Sequence, residues 1–146
     1  MTIYTIGFTK KSAEDFFELL KQHRVELMID IRLNNKSQLA GFSKGSDLRY
    51  FLREICGANY VHCPEYAPTK ELLSAYQAGN TSWSEYERVF DQLMESRKDY
   101  LSFLQKYSRF SRVCLLCSEP TPERCHRRLV AEKIAATDPS VEIIHL

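Results

Sequence analysis

Apolar residues fall along the chain in two alternating patterns: short continuous runs and stripes at helical spacing. Residues 3–6 are β-branched or aromatic and stop at Gly7, which predicts a short buried strand. Ser12, with Asp15 three positions on, reads as a helix cap; Phe16, Phe17 and Leu20 follow at helical spacing, and Val25 falls past the helix end. A second strand is predicted over 27–31, and the polar, glycine-containing stretch 32–45 reads as a loop long enough to suggest a functional role. Ser46 and Asp47 then cap a helix in which Leu48, Phe51, Leu52 and Ile55 fall at i, i+3, i+4, i+7, with Gly57 as its stop. A third strand spans 60–63 and ends at Pro64. Thr69 opens a helix carrying Leu72, Leu73 and Tyr76, closed by Gly79. Ser82 and Glu85 form a capping box for a long helix marked by Trp83, Tyr86, Phe90, Leu93 and Met94. Its pattern continues through Tyr100, Phe103, Leu104 and Tyr107, with a break near 96–99. The run 113–117 is an almost wholly apolar fourth strand. Thr121-Pro122 reads as the N-cap and first-turn proline of a helix reaching about residue 136, and 142–145 is a last strand.

Strands joined by helical connections argue for an α/β fold: a single three-layer domain over 1–146, with a mainly parallel, about five-stranded sheet flanked by helices, Rossmann-like in architecture. Right-handed crossovers leave few topologies, and the expected strand order is 3-2-1-4-5, with a switch between the first and fourth strands. Ligands of such sheets bind beyond the carboxyl ends of the strands at the switch. The loops after Ile6, Ile31 and Leu116 are therefore where chemistry is expected.

Composition narrows this only a little. With 146 residues, 44% hydrophobic and 27% charged, the chain fits one globular domain and excludes a disordered or fibrous protein. Its formal net charge of +1 gives no global attraction to nucleic acid or acidic lipid, so any anion affinity must come from a local cluster. Five cysteines, an odd number, come with no leader-like start and no apolar run near the roughly 18 residues of a membrane span. These features predict a cytoplasmic protein with reduced thiols and no membrane partner.

The three loops carry an uncommon set of polar groups. Gly7 and Thr9 follow the first strand, Asp30 and Arg32 end the second with Ser37 in its loop, and Cys117, Ser118 and Glu119 follow the fourth. Arg124, Cys125, His126, Arg127 and Arg128 come soon after, three arginines within five residues near a predicted helix start. Helix N-termini bind anions, and arginine suits bidentate contact to phosphate or carboxylate. The plainer reading of Arg127 and Arg128 is of solvated helix residues that pair with Glu132 and others. A thiol near these charges has more thiolate character, which makes Cys117 a candidate nucleophile or redox thiol. Cys125 is equally readable as core packing, Cys114 as strand packing and Cys56 as inert. His126 can partner Glu119 or Cys117, or can tie its helix to the sheet. Asp30 and Arg32 share a strand face, and either pair with each other or reach a ligand.

Two near-misses bound the options. Six residues separate Cys117 from Arg124, one more than a cysteine-phosphatase loop takes, and two prolines remove amides from that loop. Cys117, Cys125 and His126, with Cys63 or His62, are zinc-ligand types, but no second pair stands at finger spacing, and no metal or cofactor is expected.

Taken together, Tyr4-Thr5-Ile6-Gly7, Asp30-Ile31-Arg32, Ser37, Phe42, Leu115-Leu116-Cys117-Ser118-Glu119, Cys125-His126-Arg127 and the closing His145-Leu146 resemble the domain of unknown function family 488 over almost the whole chain. The stretch 35–42 is similar to one subgroup, and Tyr66-Ala67-Pro68 stands where the larger branch has a glycine pair. The resemblance implies one compact α/β domain. Its marked positions are Gly7, Asp30, Arg32, Ser37, Cys117, Glu119, Cys125, His126 and Arg127. It implies no particular reaction.

The leading expectation is a small enzyme acting on an anionic nucleotide, nucleic-acid or other phosphate-bearing ligand. Cys117, Glu119 and His126 would be catalytic; Gly7, Thr9, Asp30, Arg32, Ser37, Cys125 and Arg127 would bind the ligand. A non-catalytic nucleotide-binding or nucleic-acid-binding module and a thiol or zinc switch are the alternatives.

Overall fold

The computed structural model describes residues 1–36 and 41–146. Five parallel strands, β1 (Thr2–Gly7), β2 (Leu27–Asp30), β3 (Asn59–His62), β4 (Arg112–Cys117) and β5 (Glu142–His145), form one sheet in the order β3-β2-β4-β1-β5. Helices α1 (Ala13–Gln22), α2 (Gly45–Phe51), α3 (Lys70–Gln77), α4 (Trp83–Arg97), α5 (Phe103–Lys106) and α6 (His126–Ala135) connect and cover the strands.

The α/β reading holds, but the expected strand order does not. β4, not β1, lies beside β2, with Leu27 opposite Val113 and Asp30 opposite Leu116. From Val113 to Cys117 every residue of β4 is at most 1% exposed, so the strand needs cover on both faces and on both edges, and a central place supplies them. β1 and β4 remain neighbours, and their connections leave in opposite directions. The switch therefore survives the exchange, and the 30–32 segment comes next to Cys117 instead of one strand away.

The two sides of the sheet bury separate sets of side chains. On one side Tyr4, Ile6, Met28, Cys114 and Leu116 pack against Phe16, Phe17 and Leu20 of α1 and Leu48 of α2. On the other, Ile3, Ile29, Val113 and Leu115 pack against Tyr86, Phe90 and Met94 of α4, Phe103 of α5, and Val130, Ala131 and Ile134 of α6.

Local chemistry explains most helix ends. The Ser12 and Ser82 side chains accept from the amides of Asp15 and Glu85, as their spacing predicts. α2 starts one residue before Ser46, behind Lys44, and runs into a single wide turn, Leu52–Cys56, that Gly57 closes at φ +65°. α4 stops at Lys98, which sits in the left-handed region at φ 64°; this is the break expected near 96–99. A β-carbon is costly there, so Lys98→Gly is expected to raise stability by up to about 1 kcal/mol, read as a higher urea midpoint with an unchanged m-value.

The largest local departure concerns α6. Thr121 and Pro122 do not open it: the Cys125 amide donates to the Pro122 carbonyl at 3.3 Å, closing an isolated turn, and the helix begins only at His126. Cys125 is extended, at φ −138° and ψ 139°, and cannot belong to a helix that started earlier. That conformation turns its sulfur back toward the sheet.

Candidate functional site

The carboxyl ends of β1, β2 and β4 meet as the sequence predicts. Gly7 lies opposite Cys117, and the Thr9 amide donates to the Ser118 carbonyl at 3.2 Å, although the Thr9 residue itself is exposed. The Ile31 amide donates to the Leu116 carbonyl at 3.1 Å, which locks the end of β2 onto β4.

Asp30 and Arg32 pair with each other. Arg32 donates from Nε at 2.9 Å and Nη2 at 2.8 Å to the two Asp30 oxygens, and from Nη2 to the Ser43 carbonyl at 2.6 Å. Its guanidinium also faces the Phe8 ring at 5.2 Å, and both residues of the ion pair are buried. Tyr60 donates to Asp30 at 2.5 Å. His62 and His126 donate Nε2–H to the carbonyls of Arg32 and Ile31, at 2.7 and 2.8 Å. The turn after β2 is thus clamped from its side chains and from its backbone. Of the two readings open for this pair, the structure shows the mutual ion pair. Ser37 lies outside the described residues.

Around Cys117 the arrangement is different. Its sulfur lies at bonding distance from that of Cys125, with the two Cα atoms 7.7 Å apart, so the thiols are not the separate groups that one reactive and one packed cysteine would be. A ring nitrogen of His126 stands with both sulfurs inside a 4.8 Å group. Arg127 is fully buried and donates Nη1–H to the Cys117 sulfur at 3.2 Å and to the Glu119 carbonyl at 2.5 Å. Its Nε and Nη2 have no partner among the described residues. Burial lowers its affinity for a proton and pushes His126 down to about 4, which keeps the imidazole neutral. A carbonyl can only accept, so the bond to Ile31 puts the His126 proton on Nε2 and leaves the Nδ1 lone pair free.

The remaining cysteines are placed for packing. Burial pushes Cys56 and Cys63 up to about 11 and Cys114 higher still, so none is a thiolate at neutral pH. Cys63 contacts the Tyr107 hydroxyl at 3.2 Å, and neither it nor His62 joins the sulfur cluster. Arg128 pairs with Glu132 at 3.0 Å, as its plainer reading has it.

The chain belongs to the family described as domain of unknown function DUF488. The family model matches residues 12–134. No curated protein and no solved structure matches the chain.

This DUF488 chain also has a feature that the sequence reading missed. A cleft of about 80 Å³ opens onto Cys117, Glu119, Cys125 and His126, with Tyr76, Trp83 and Tyr86 as its other wall. Trp83 and Tyr86 stack with centroids 5.0 Å apart and 19° between planes, and Tyr76 leans on Tyr86 at 5.0 Å. At helical spacing these aromatics read as core. Only Tyr86 is fully buried; Trp83 and Tyr76 keep part of their surface at the cleft. A signal was present in the Ser82–Glu85 capping box, which fixes Trp83 at the first residue of α4, where a helix end meets solvent. The Glu119 side chain is exposed at the cleft, while its carbonyl is held by Arg127.

Proposed function

We propose that this DUF488 protein is an enzyme acting on an anionic ligand that carries a flat ring, of the nucleotide or nucleic-acid-end type. The observation that carries this reading is Arg127: a buried guanidinium with one nitrogen on Cys117 and Glu119 and two without partners among the described residues. A buried donor without a partner costs free energy that an incoming anion restores, and arginine presents its donors in a fork suited to phosphate or carboxylate. Lys11 adds a second cation near Arg127, close enough that burial and then repulsion by Arg127 lower its proton affinity. The aromatic wall supplies stacking surface for a ring. Glu119, exposed at the cleft beside the sulfur cluster, is the general acid or base. Arg32, engaged with Asp30 and Ser43, holds the β2 turn, and its Nη1, which also has no partner among the described residues, is a further donor for the anion.

Trp83 is the single tryptophan, so the cleft reports on itself. Nucleoside monophosphates are expected to quench its emission saturably and raise Tm, with nucleosides and inorganic phosphate each weaker. Arg127→Lys is expected to weaken nucleotide binding by about 10- to 100-fold, the worth of charge-assisted hydrogen bonds. Glu119→Gln is expected to leave binding intact and to lower product formation from a nucleotide and oligonucleotide panel by about 10²- to 10⁴-fold. Emission and Tm unmoved by every nucleotide would refute the ligand class. Equal turnover in Glu119→Gln and wild type would favour a non-catalytic binding module.

A further inference from the structure

We propose that Cys117, Cys125 and His126 form a binding site for one thiophilic divalent metal ion, zinc above all, with the fourth coordination position open to the aromatic cleft. These three residues are the one set of metal-ligating side chains among the described residues whose donor atoms cluster this closely, all within 4.8 Å. Zinc–sulfur and zinc–nitrogen bonds of about 2.3 and 2.0–2.1 Å in a tetrahedron place donors about 3.4–3.8 Å apart, so a metal fits inside that group in the thiol-reduced protein, once the two sulfurs move apart from bonding distance to that spacing. The 7.7 Å between the Cα atoms of Cys117 and Cys125 exceeds the roughly 4.4–6.8 Å that a direct disulfide spans, and two sulfurs joined through a metal cover it readily.

The surroundings suit a metal in three further ways. His126 donates Nε2–H to the Ile31 carbonyl, the outer hydrogen bond that fixes a ligating imidazole and leaves the lone pair on Nδ1. Arg127 points Nη1–H at the Cys117 sulfur from 3.2 Å, a contact that favours thiolate. Two thiolates and a neutral imidazole balance a divalent charge, so the loaded centre brings no net charge into a buried place. The extended backbone at Cys125, which delays α6 by four residues, is what lets one short segment offer the adjacent ligands Cys125 and His126 to the end of β4.

The ligand set has three members, and the same residues line the cleft with Glu119. Two thiolates, one imidazole and an open position form a recurrent arrangement of catalytic zinc, in which the fourth ligand is water. Glu119, a carboxylate outside the ligand set, is then placed to take a proton from that water. The metal site stands on the donor geometry and does not depend on which ligand the cleft takes.

Protein purified without chelator and under reductant is expected to contain one zinc per chain by elemental mass spectrometry. A strong chelator is expected to remove it, with cobalt(II) replacing it. The cobalt protein should show thiolate-to-metal charge-transfer absorption and tetrahedral ligand-field bands, and azide should shift those bands through the open position. Cys125→Ser and His126→Gln are expected to lower zinc affinity by at least about 10-fold, while Cys56→Ser keeps full occupancy. Wild-type protein alone decides the matter if the variants fail to fold. A Cys117–Cys125 disulfide that persists under reductant, or five free thiols with no uptake of zinc or cobalt after reduction, overturns the site. Cobalt bands that azide leaves unmoved overturn the open position. Loss of nucleotide binding with one zinc retained would count against the ligand reading and leave the metal site standing.

Discussion

Replacing Arg32 by methionine is expected to destabilise the protein by about 3–5 kcal/mol, the usual cost of removing one partner from a buried ion pair. Asp30 is completely buried, and Arg32 contributes its only guanidinium contacts among the described residues, from Nε at 2.9 Å and Nη2 at 2.8 Å. The Arg32 amide at 3.2 Å and the Tyr60 hydroxyl at 2.5 Å remain after the substitution, but both are neutral donors. A carboxylate with no counter-charge in that place is the unfavourable species, and the lost bond to the Ser43 carbonyl adds to it. Asp30→Asn in the Arg32→Met background is expected to recover a large part of the loss, because the uncompensated charge, more than the missing contact, sets the cost. Tyr60→Phe removes a single hydrogen bond and is expected to cost about 1–2 kcal/mol. Urea denaturation of the four proteins tests the set. A deficit for Arg32→Met below about 1 kcal/mol would mean that water reaches the pair and that it does not clamp the turn. Such a result would also remove the reason for the Ile31 carbonyl to stand where His126 needs it.

What the sequence made legible follows periodicity. Runs such as 113–117 and stripes such as Leu48–Phe51–Leu52 carry enough apolar residues to identify strands and helices, and the Ser12 and Ser82 caps fix two helix starts to the residue. The meeting of three loops followed from the general placement of ligands beyond a parallel sheet. Strand order was not legible, because β1 and β4 are both buried at every residue after the first and nothing local distinguishes the central strand from its neighbour. The start of α6 was misread because Thr121-Pro122 has the local form of a helix start, whereas the tertiary position of Cys125 decides the conformation. The role of Arg127 was legible only in part. Three arginines near a helix start look alike in sequence, and only packing shows one buried against Cys117 and another paired on the surface with Glu132. The aromatic wall was hidden for a related reason: Tyr76, Trp83 and Tyr86 fit a core stripe, and exposure at one edge is a property of the assembled layers.

Gly7→Ala is expected to damage both stability and the site, and it needs no unusual backbone angle to do so. Gly7 ends β1 opposite Cys117, and the chain leaving β4 turns back across it. A β-carbon at residue 7 would overlap the Glu119 carbonyl oxygen and stand 2.5 Å from Arg127 Nη1 and 2.7 Å from the Glu119 carbonyl carbon. Two of those three atoms are backbone, and the third belongs to a buried guanidinium already fixed by the same carbonyl at 2.5 Å. None can swing aside alone, so the 118–119 segment must lift and take Arg127 off the Cys117 sulfur. Forcing atoms into filled space costs about 1–3 kcal/mol, and the lost charge-assisted bond adds about 1.5–3 kcal/mol. The fall in urea midpoint should therefore be large, amide exchange should quicken from 117 to 127, and metal and nucleotide affinity should drop together. Gly41→Ala is the control, with nothing within 4 Å of its β-carbon, and should change stability by no more than about 0.5 kcal/mol. If Gly7→Ala behaves like that control, the Glu119 segment is free to move and Arg127 is not what positions it. The buried guanidinium would then lose its claim to organise both the sulfur cluster and the anion site.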